Sequence, residues 1–443
     1  MKATEAQREE IKSLVAELSS KKGLVNLLSK ARTMLYGQET KPVKLKLLTY
    51  YANPTICPRR YRKSTIPKKS GGVRTIHAPV KGLKAILQPL NFVLQCMHTP
   101  HCAATGFVQG RSIVDNARKH VGQNYVLNLD LKDFFHSFNR NRVKLGFMFG
   151  PLQLNGSKEP LAFLLASLCT QPLYENGDIK VGHRPPSRFV GESIFMSEDD
   201  PNYELIMQIL QENEVINSKR RVKLRIARGA VKTVLPQGSP TSPTITNMLC
   251  EKLDRRLTGL GNRFGATYSR YADDITFSSL HNIYNQDEFN DELVRIIEED
   301  QGFKINPKKT RLQRRGYCQE VTGLSVSEKV NVRRRYVKQL RMWLYYWEKY
   351  GIEKAEDIFA RDYVGDKGHV KMHVPEMSRV IGGKLEFLRM VKGETDSTYL
   401  GLKDRYEKLM LPLDPLTKIL DLWEEKGIDA AMNAYYGEEV TEE

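Results

Sequence analysis

Tyr271-Ala272-Asp273-Asp274, flanked by Arg270 and by Ile275-Thr276-Phe277, pairs two carboxylates on a tight turn between apolar, strand-like runs. Asp is a common turn residue, so on its own the tetrapeptide reads better as a surface turn than as a site. A third carboxylate changes that balance. Val126-Leu127-Asn128-Leu129-Asp130-Leu131 has the pattern of a buried strand ending in an acid, and Phe134-Phe135 follows it. Three acids on neighbouring strand ends can hold two Mg²⁺ ions, one lowering the pKa of an attacking hydroxyl and one neutralising a leaving pyrophosphate.

Positioning these acids requires strands, turns and a loop that brings substrate to them. Ile66-Pro67-Lys68-Lys69-Ser70-Gly71-Gly72-Val73-Arg74-Thr75-Ile76 reads as two strands around a Ser-Gly-Gly turn. Leu235-Pro236-Gln237-Gly238-Ser239-Pro240-Thr241-Ser242-Pro243 lies between the first acid and the pair. Gly238 there allows close backbone approach, and the prolines fix a turn ahead of a helix expected over 244–257 that carries Asn247. Downstream comes Gly302-Phe303-Lys304-Ile305-Asn306-Pro307-Lys308-Lys309-Thr310.

Taken in order, these motifs resemble the reverse transcriptases. The resemblance implies an α+β right-hand polymerase architecture: fingers, a palm with an antiparallel sheet, and a helical thumb. It implies metal ligation by Asp130, Asp273 and Asp274, with the Leu131 carbonyl as a further ligand. Lys68 and Arg74 would hold the incoming triphosphate, with Lys69 a rival to Lys68; Gln237 and Gly238 would lie against template and nucleotide, and Lys309 would be the general acid at the leaving pyrophosphate. Phe135 lies five positions after Asp130, where the family places a bulky side chain beneath the incoming sugar. Asn116-Ala117-Arg118-Lys119-His120 fits the NAxxH signature of retron reverse transcriptases, and Val321-Thr322-Gly323 fits their VTG signature. In that family both shape a surface for the cognate RNA; as structure alone, His120 reads as a buried, hydrogen-bonded histidine and 321–324 as a strand entering a turn.

Lys and Arg number 69 against 52 Asp and Glu, a net charge of +17. A basic surface supplies the sequence-independent phosphate attraction of a nucleic-acid enzyme. The charge clusters on both sides of the acids, from Arg59 to Lys69 and from Arg311 to Arg341. No apolar run approaches the ~20 residues of a membrane span, and the N-terminus reads as an amphipathic helix, so a cytoplasmic protein is expected. Six cysteines without CxxC spacing suit reduced core thiols. His98/His101 and His369/His373 read as structural.

The expected organisation is a helical N-terminal extension over 1–60, fingers and palm over 61–324, a thumb over 325–415, and a C-terminal helix with an acidic tail over 416–443. Tyr336, Leu340, Trp343, Leu344 and Trp347 fall on one helical stripe suited to thumb core. A polar stretch over about 173–228 far exceeds an ordinary connection of ~4–6 residues and reads as an inserted element, either an RNA- or effector-docking device or a passive surface insertion.

The resemblance implies RNA-templated DNA synthesis from dNTPs with two Mg²⁺ ions. Priming would start from a guanosine 2′-hydroxyl of a structured noncoding RNA, leaving a branched RNA–DNA hybrid, the multicopy single-stranded DNA. That product would stay bound as single strand and RNA–DNA duplex, often with an effector protein in phage defence. A defence-associated or intron-type reverse transcriptase outside the retrons remains an alternative, as does a noncatalytic RNA-binding scaffold.

Overall fold

The computed structural model describes residues 3–37, 40–67, 72–174, 231–367, 374–411, 419–420, 422–423 and 427–436. Lys68 and Lys69, most of the expected insertion, His369, His373 and the acidic tail lie outside these residues. The chain divides into two compact units, one formed by Met1–Thr322 with Val326–Lys329, the other by Gly323–Ser325 with Val330–Glu443.

The first unit opens with three helices, α1 (Glu5–Ala16), α2 (Lys21–Tyr36) and α3 (Leu45–Ala52). A capping box between Thr4 and Gln7 starts α1, and Ser20 caps α2, satisfying backbone N–H groups that a helix start leaves unpaired. Leu24, Leu27, Leu28 and Ala31 follow the 3.6-residue period and form the buried stripe of α2. Next comes an antiparallel hairpin of β1 (Tyr61–Pro67) and β2 (Val73–Pro79), with Ile66 opposite Arg74. Helix α4 (Lys81–Met97) packs on α2 and α1.

The central sheet holds four antiparallel strands in the order β6-β7-β3-β8: β3 (Tyr125–Asp130), β6 (Thr267–Tyr271), β7 (Asp274–Ser279) and β8 (Arg311–Arg314). Side chains alternate across a strand, so Leu127 and Leu129 enter the core with Ile275 and Phe277, while Asn128 and Asp130 share the other face. Burying each such leucine is worth about 1.5–3 kcal/mol. A short helix α5 (Ile113–Arg118) precedes β3, and α6 (Arg140–Phe149) and α7 (Glu159–Cys169) follow it. β4 (Gln171–Tyr174) pairs with β5 (Val231–Val234), so 173 and 174, expected to begin the insertion, belong to a hairpin base.

Two helices replace the single one expected after the Pro-Gln-Gly loop: α8 (Ser242–Leu249) and α9 (Glu251–Arg263), broken at Cys250. Leu253 and Leu257 of α9 are buried in the same core as the sheet. Cys57, Cys96, Cys169 and Cys250 are buried and free, but Cys102 and Cys318 are exposed, which corrects the expectation of core thiols throughout.

In the second unit, α10 (Arg334–Lys367) bends at Gly351, whose φ of 76° no other residue type adopts cheaply. Leu340, Trp343 and Leu344 of its first half are buried, and Lys384 of α11 (Met377–Lys392) lies over the Tyr336 and Trp343 rings at 4.3 and 5.1 Å. The aromatic stripe is therefore interior. Among the described residues no helix is long and apolar enough to cross a membrane.

Candidate active site

Strand β3 delivers Asp130 at its end, and the β6–β7 hairpin delivers the pair. Register places Asp130 directly opposite Asp274, with Ala272 and Asp273 forming the two-residue turn. Ala272 has φ 58°, the left-handed conformation such a turn demands and a costly one for a residue with a β-carbon. The Leu131 N–H donates to the Asp273 carbonyl (3.1 Å), tying the turn to the first strand.

The carboxylates crowd one another. Asp273 is pushed above the ordinary aspartate range by burial and by the charge of Asp130, and Arg74 and Lys309 partly offset this. Asp274 keeps solvent-accessible surface, yet withdrawal from bulk water and the charges of Asp273 and Asp130 push it up to about 6. Lys309 Nζ donates to Asp130 Oδ1 (2.7 Å), and Asn306 Nδ2 donates to Oδ2 (3.1 Å). That bond to Asp130 raises the Lys309 pKa, keeping the ammonium protonated. Among the described residues no three His, Cys, Asp or Glu side chains already converge as a metal cage. The donor set nonetheless fits a divalent cation: hard carboxylate oxygens, two of them with pKa values raised by burial and by their neighbours' negative charge, a repulsion that a cation would relieve.

Beneath the turn lies a buried network that the sequence did not announce. Arg270 and Asp254, both without exposed side-chain surface, form a two-bond ion pair at 2.7 and 2.7 Å. Arg270 also donates to the Ala272 carbonyl (3.1 Å) and to Asn247 Oδ1 (3.2 Å), while the Tyr268 hydroxyl donates to Asp254 (2.8 Å). Asn247 Nδ2 in turn donates to the Gly106 carbonyl (2.9 Å). Gly106 packs so closely on the catalytic turn that a β-carbon there would fall 2.5 Å from Ala272 N.

Asn116 and His120 belong to this support. Asn116 Oδ1 accepts from Thr105 Oγ1 (2.7 Å), and the Thr105 backbone N–H donates to the Arg270 carbonyl (2.8 Å). His120 lies between the strands of the hairpin, Nδ1 2.7 Å from Ser278 Oγ and Nε2 2.6 Å from Ser269 Oγ, so in the neutral ring one nitrogen donates and the other accepts. Burial, then the charge of Lys119, pulls its pKa down to about 3. Val321 is buried too, while Thr322 Oγ1 donates to the Ile113 carbonyl (3.2 Å) at φ 49°, and Gly323 is exposed at φ 82°. Asn116, His120 and Val321 are thus buried within the protein, and the Asn116 amide nitrogen has no hydrogen-bond partner among the described residues.

Around the acids, Arg74 is exposed on β2 and acts electrostatically on Asp273, whereas Lys68 lies outside the described residues. The Gln237 carbonyl accepts from His77 N–H (2.7 Å), and Gly238 adopts φ 116° with its α-carbon packed against Ile76 and His77. The Pro-Gln-Gly loop is thereby fixed to β2. Phe135 is half-buried, its ring 5.5 Å from Phe134 and 6.2 Å from Phe107.

The family model described as reverse transcriptase (RNA-dependent DNA polymerase) matches residues 200–344, a span that contains Asp273, Asp274 and Lys309. The chain is 34% identical over 340 residues to the retron Mx65 reverse transcriptase of Myxococcus xanthus, covering 76% of this chain and 67% of that protein. It is 37% identical over 296 residues to the retron Mx162 reverse transcriptase of the same organism, covering 63% of this chain and about half (51%) of that protein. With the retron Ec86 reverse transcriptase of Escherichia coli the identity is 30% over 304 residues, covering 67% of this chain and 71% of the relative. Identity at this level across two thirds of two such relatives, on a chain that brings an acid pair opposite a third acid, means that this chain belongs to the retron reverse transcriptases, RNA-directed DNA polymerases.

Proposed function

We propose that this chain copies a structured noncoding RNA into a branched RNA–DNA hybrid by two-metal nucleotidyl transfer, with Asp130, Asp273 and Asp274 holding the ions. The observation that carries the reading is the register of Asp130 against Asp274 with Asp273 on the intervening turn. Two bound Mg²⁺ ions would lower the pKa of the attacking hydroxyl and neutralise the leaving pyrophosphate. The Leu131 carbonyl, next to Asp130, is a further candidate ligand.

In this reading the β1–β2 hairpin belongs to the fingers, the four-stranded sheet is the palm, residues 325–415 form the thumb, and 1–60 are a helical extension. Arg74 steadies the triphosphate together with Lys68. Gln237 and Gly238, anchored to β2, present backbone to the nascent pair, and Phe135 faces the incoming sugar. Lys309 holds a proton on Nζ, available to a pyrophosphate oxygen once the α-phosphorus bond to it breaks. Asn116 and His120 serve the RNA indirectly, by fixing the hairpin whose outer surface, with Thr322 and Gly323, meets it. Multicopy single-stranded DNA, an effector partner and phage defence complete the proposal on the strength of the family.

Purification with bound nucleic acid, supply of dNTPs and Mg²⁺, and treatment of the product with a 2′–5′ debranching enzyme tests the reading. Release of a linear DNA from an RNA-linked product is the expected result; a product unaffected by debranching would move the chain's priming outside the proposal.

A further inference from the structure

The geometry points to Phe107 as a nucleotide-contacting residue, an apolar surface against the sugar and base of the nascent pair; it rests on the reading of Asp130, Asp273 and Phe135 given above. Four observations converge on it. Phe107 is 46% exposed, an unusual state for a phenyl ring in a segment so tightly held. Its φ is 60°, a conformation that is an outlier for a bulky side chain and persists only where the surroundings impose it. Those surroundings are named: Thr105 is bonded to the Arg270 carbonyl, and Gly106 is pressed on the Tyr271–Ala272 backbone and held through its carbonyl by Asn247. Finally, the ring lies 6.2 Å from Phe135 and 6.3 Å from Tyr271, bridging the residue beneath the incoming sugar and the first residue of the acid turn.

A side chain needed only for packing would point inward and relax its backbone. Here the backbone is strained and the ring keeps exposed surface, tilted against two aromatics beside the candidate metal-binding acids. Apolar and π surface at that place suits the faces and edges of a nucleotide and is indifferent to base identity.

The test measures nucleotide binding without chemistry. A dideoxy-terminated primer on an RNA template with 2-aminopurine as templating base is titrated with the next dNTP, using wild type, Phe107→Ala, Phe107→Gly and Phe107→Tyr. Loss of one base–aromatic contact corresponds to roughly a 5- to 150-fold rise in Kd. Ala and Gly should show that rise alike, Tyr should stay within about twofold of wild type, and the Gly variant should melt no lower than the Ala variant because glycine accepts positive φ. An unchanged Kd in Phe107→Ala overturns the proposal, as does a Tyr variant as weak as Ala. Extension of the same primer with a free 3′ end runs alongside: failure of wild type to extend, with the Kd pattern intact, would refute the polymerase reading while leaving the Phe107 contact standing.

Discussion

Asp254→Asn removes one charge from the buried pair under the acid turn and leaves the Arg270 guanidinium uncompensated at zero exposure. Breaking a buried pair in this way costs about 3–5 kcal/mol. Turning the acceptor of the Tyr268 hydroxyl (2.8 Å) from a charged carboxylate into a neutral amide oxygen adds on the order of 1 kcal/mol. The sum, about 4–6 kcal/mol if the two effects add, is a large share of the ~5–15 kcal/mol that stabilises a folded protein. Urea unfolding should therefore show a strongly lowered midpoint. Replacing both partners, Asp254→Leu with Arg270→Leu, removes the stranded charge and should recover much of that stability. Activity should not recover with it, because the Ala272 carbonyl has lost its donor, and a displacement of about 1 Å at a reacting centre can cost ~100-fold in rate. Primer extension by the double variant at near wild-type rate would refute the claim that Arg270 positions the turn. A loss below about 1 kcal/mol in Asp254→Asn would refute the claim that the pair is buried and unrelieved.

Phe135→Ala should raise rNTP incorporation relative to dNTP, since a ribose hydroxyl against the phenyl ring costs about 1–3 kcal/mol; single-nucleotide incorporation with matched substrates checks it, and an unchanged ratio with a lowered melting temperature would make Phe135 core only. His120, held near pKa 3 when folded, stays neutral as pH falls below its unfolded value of about 6.5, so the unfolded chain alone gains the proton and stability drops by about 1.4 kcal/mol per pH unit between those values. Compared with His120→Gln, wild type should thus lose about 2 kcal/mol more between pH 7.5 and pH 5, and parallel unfolding curves would contradict the burial. Thr322→Ala and Asn116→Ala should impair initiation on the cognate RNA more than extension of a generic primer-template; equal losses on both substrates would assign these residues to the fold alone.

Much of the site was legible because its chemistry and its local structure coincide. The pattern of 126–131 told which acid ends a buried strand, and Asp, a common turn residue, between two apolar strand-like runs marked the turn that carries the pair. The support was not legible, because pairing across space leaves little trace in order. Asp254 carries one signal, an acid on a helix stripe with Leu253 and Leu257, but nothing in the chain says that its partner is Arg270 and not one of many other cations. His120 was readable as a buried, hydrogen-bonded histidine, but its partners Ser269 and Ser278 were not, and neither was the burial of Asn116 against Thr105, since pairing across space leaves no mark in the order of residues. Cys102 and Cys318 escaped for the converse reason: a small side chain in a loop carries no periodicity that would mark it exposed.

RNA-templated primer extension by wild type and by Asp273→Asn, in Mg²⁺ and on the same primer-template, tests the central claim most directly. Each carboxylate contributes charge that the bound ions require, so wild type should extend with dNTPs while the variant extends none, with its melting curve and RNA binding retained. Extension by Asp273→Asn at the wild-type rate would contradict the assignment of the acid turn as the catalytic metal site.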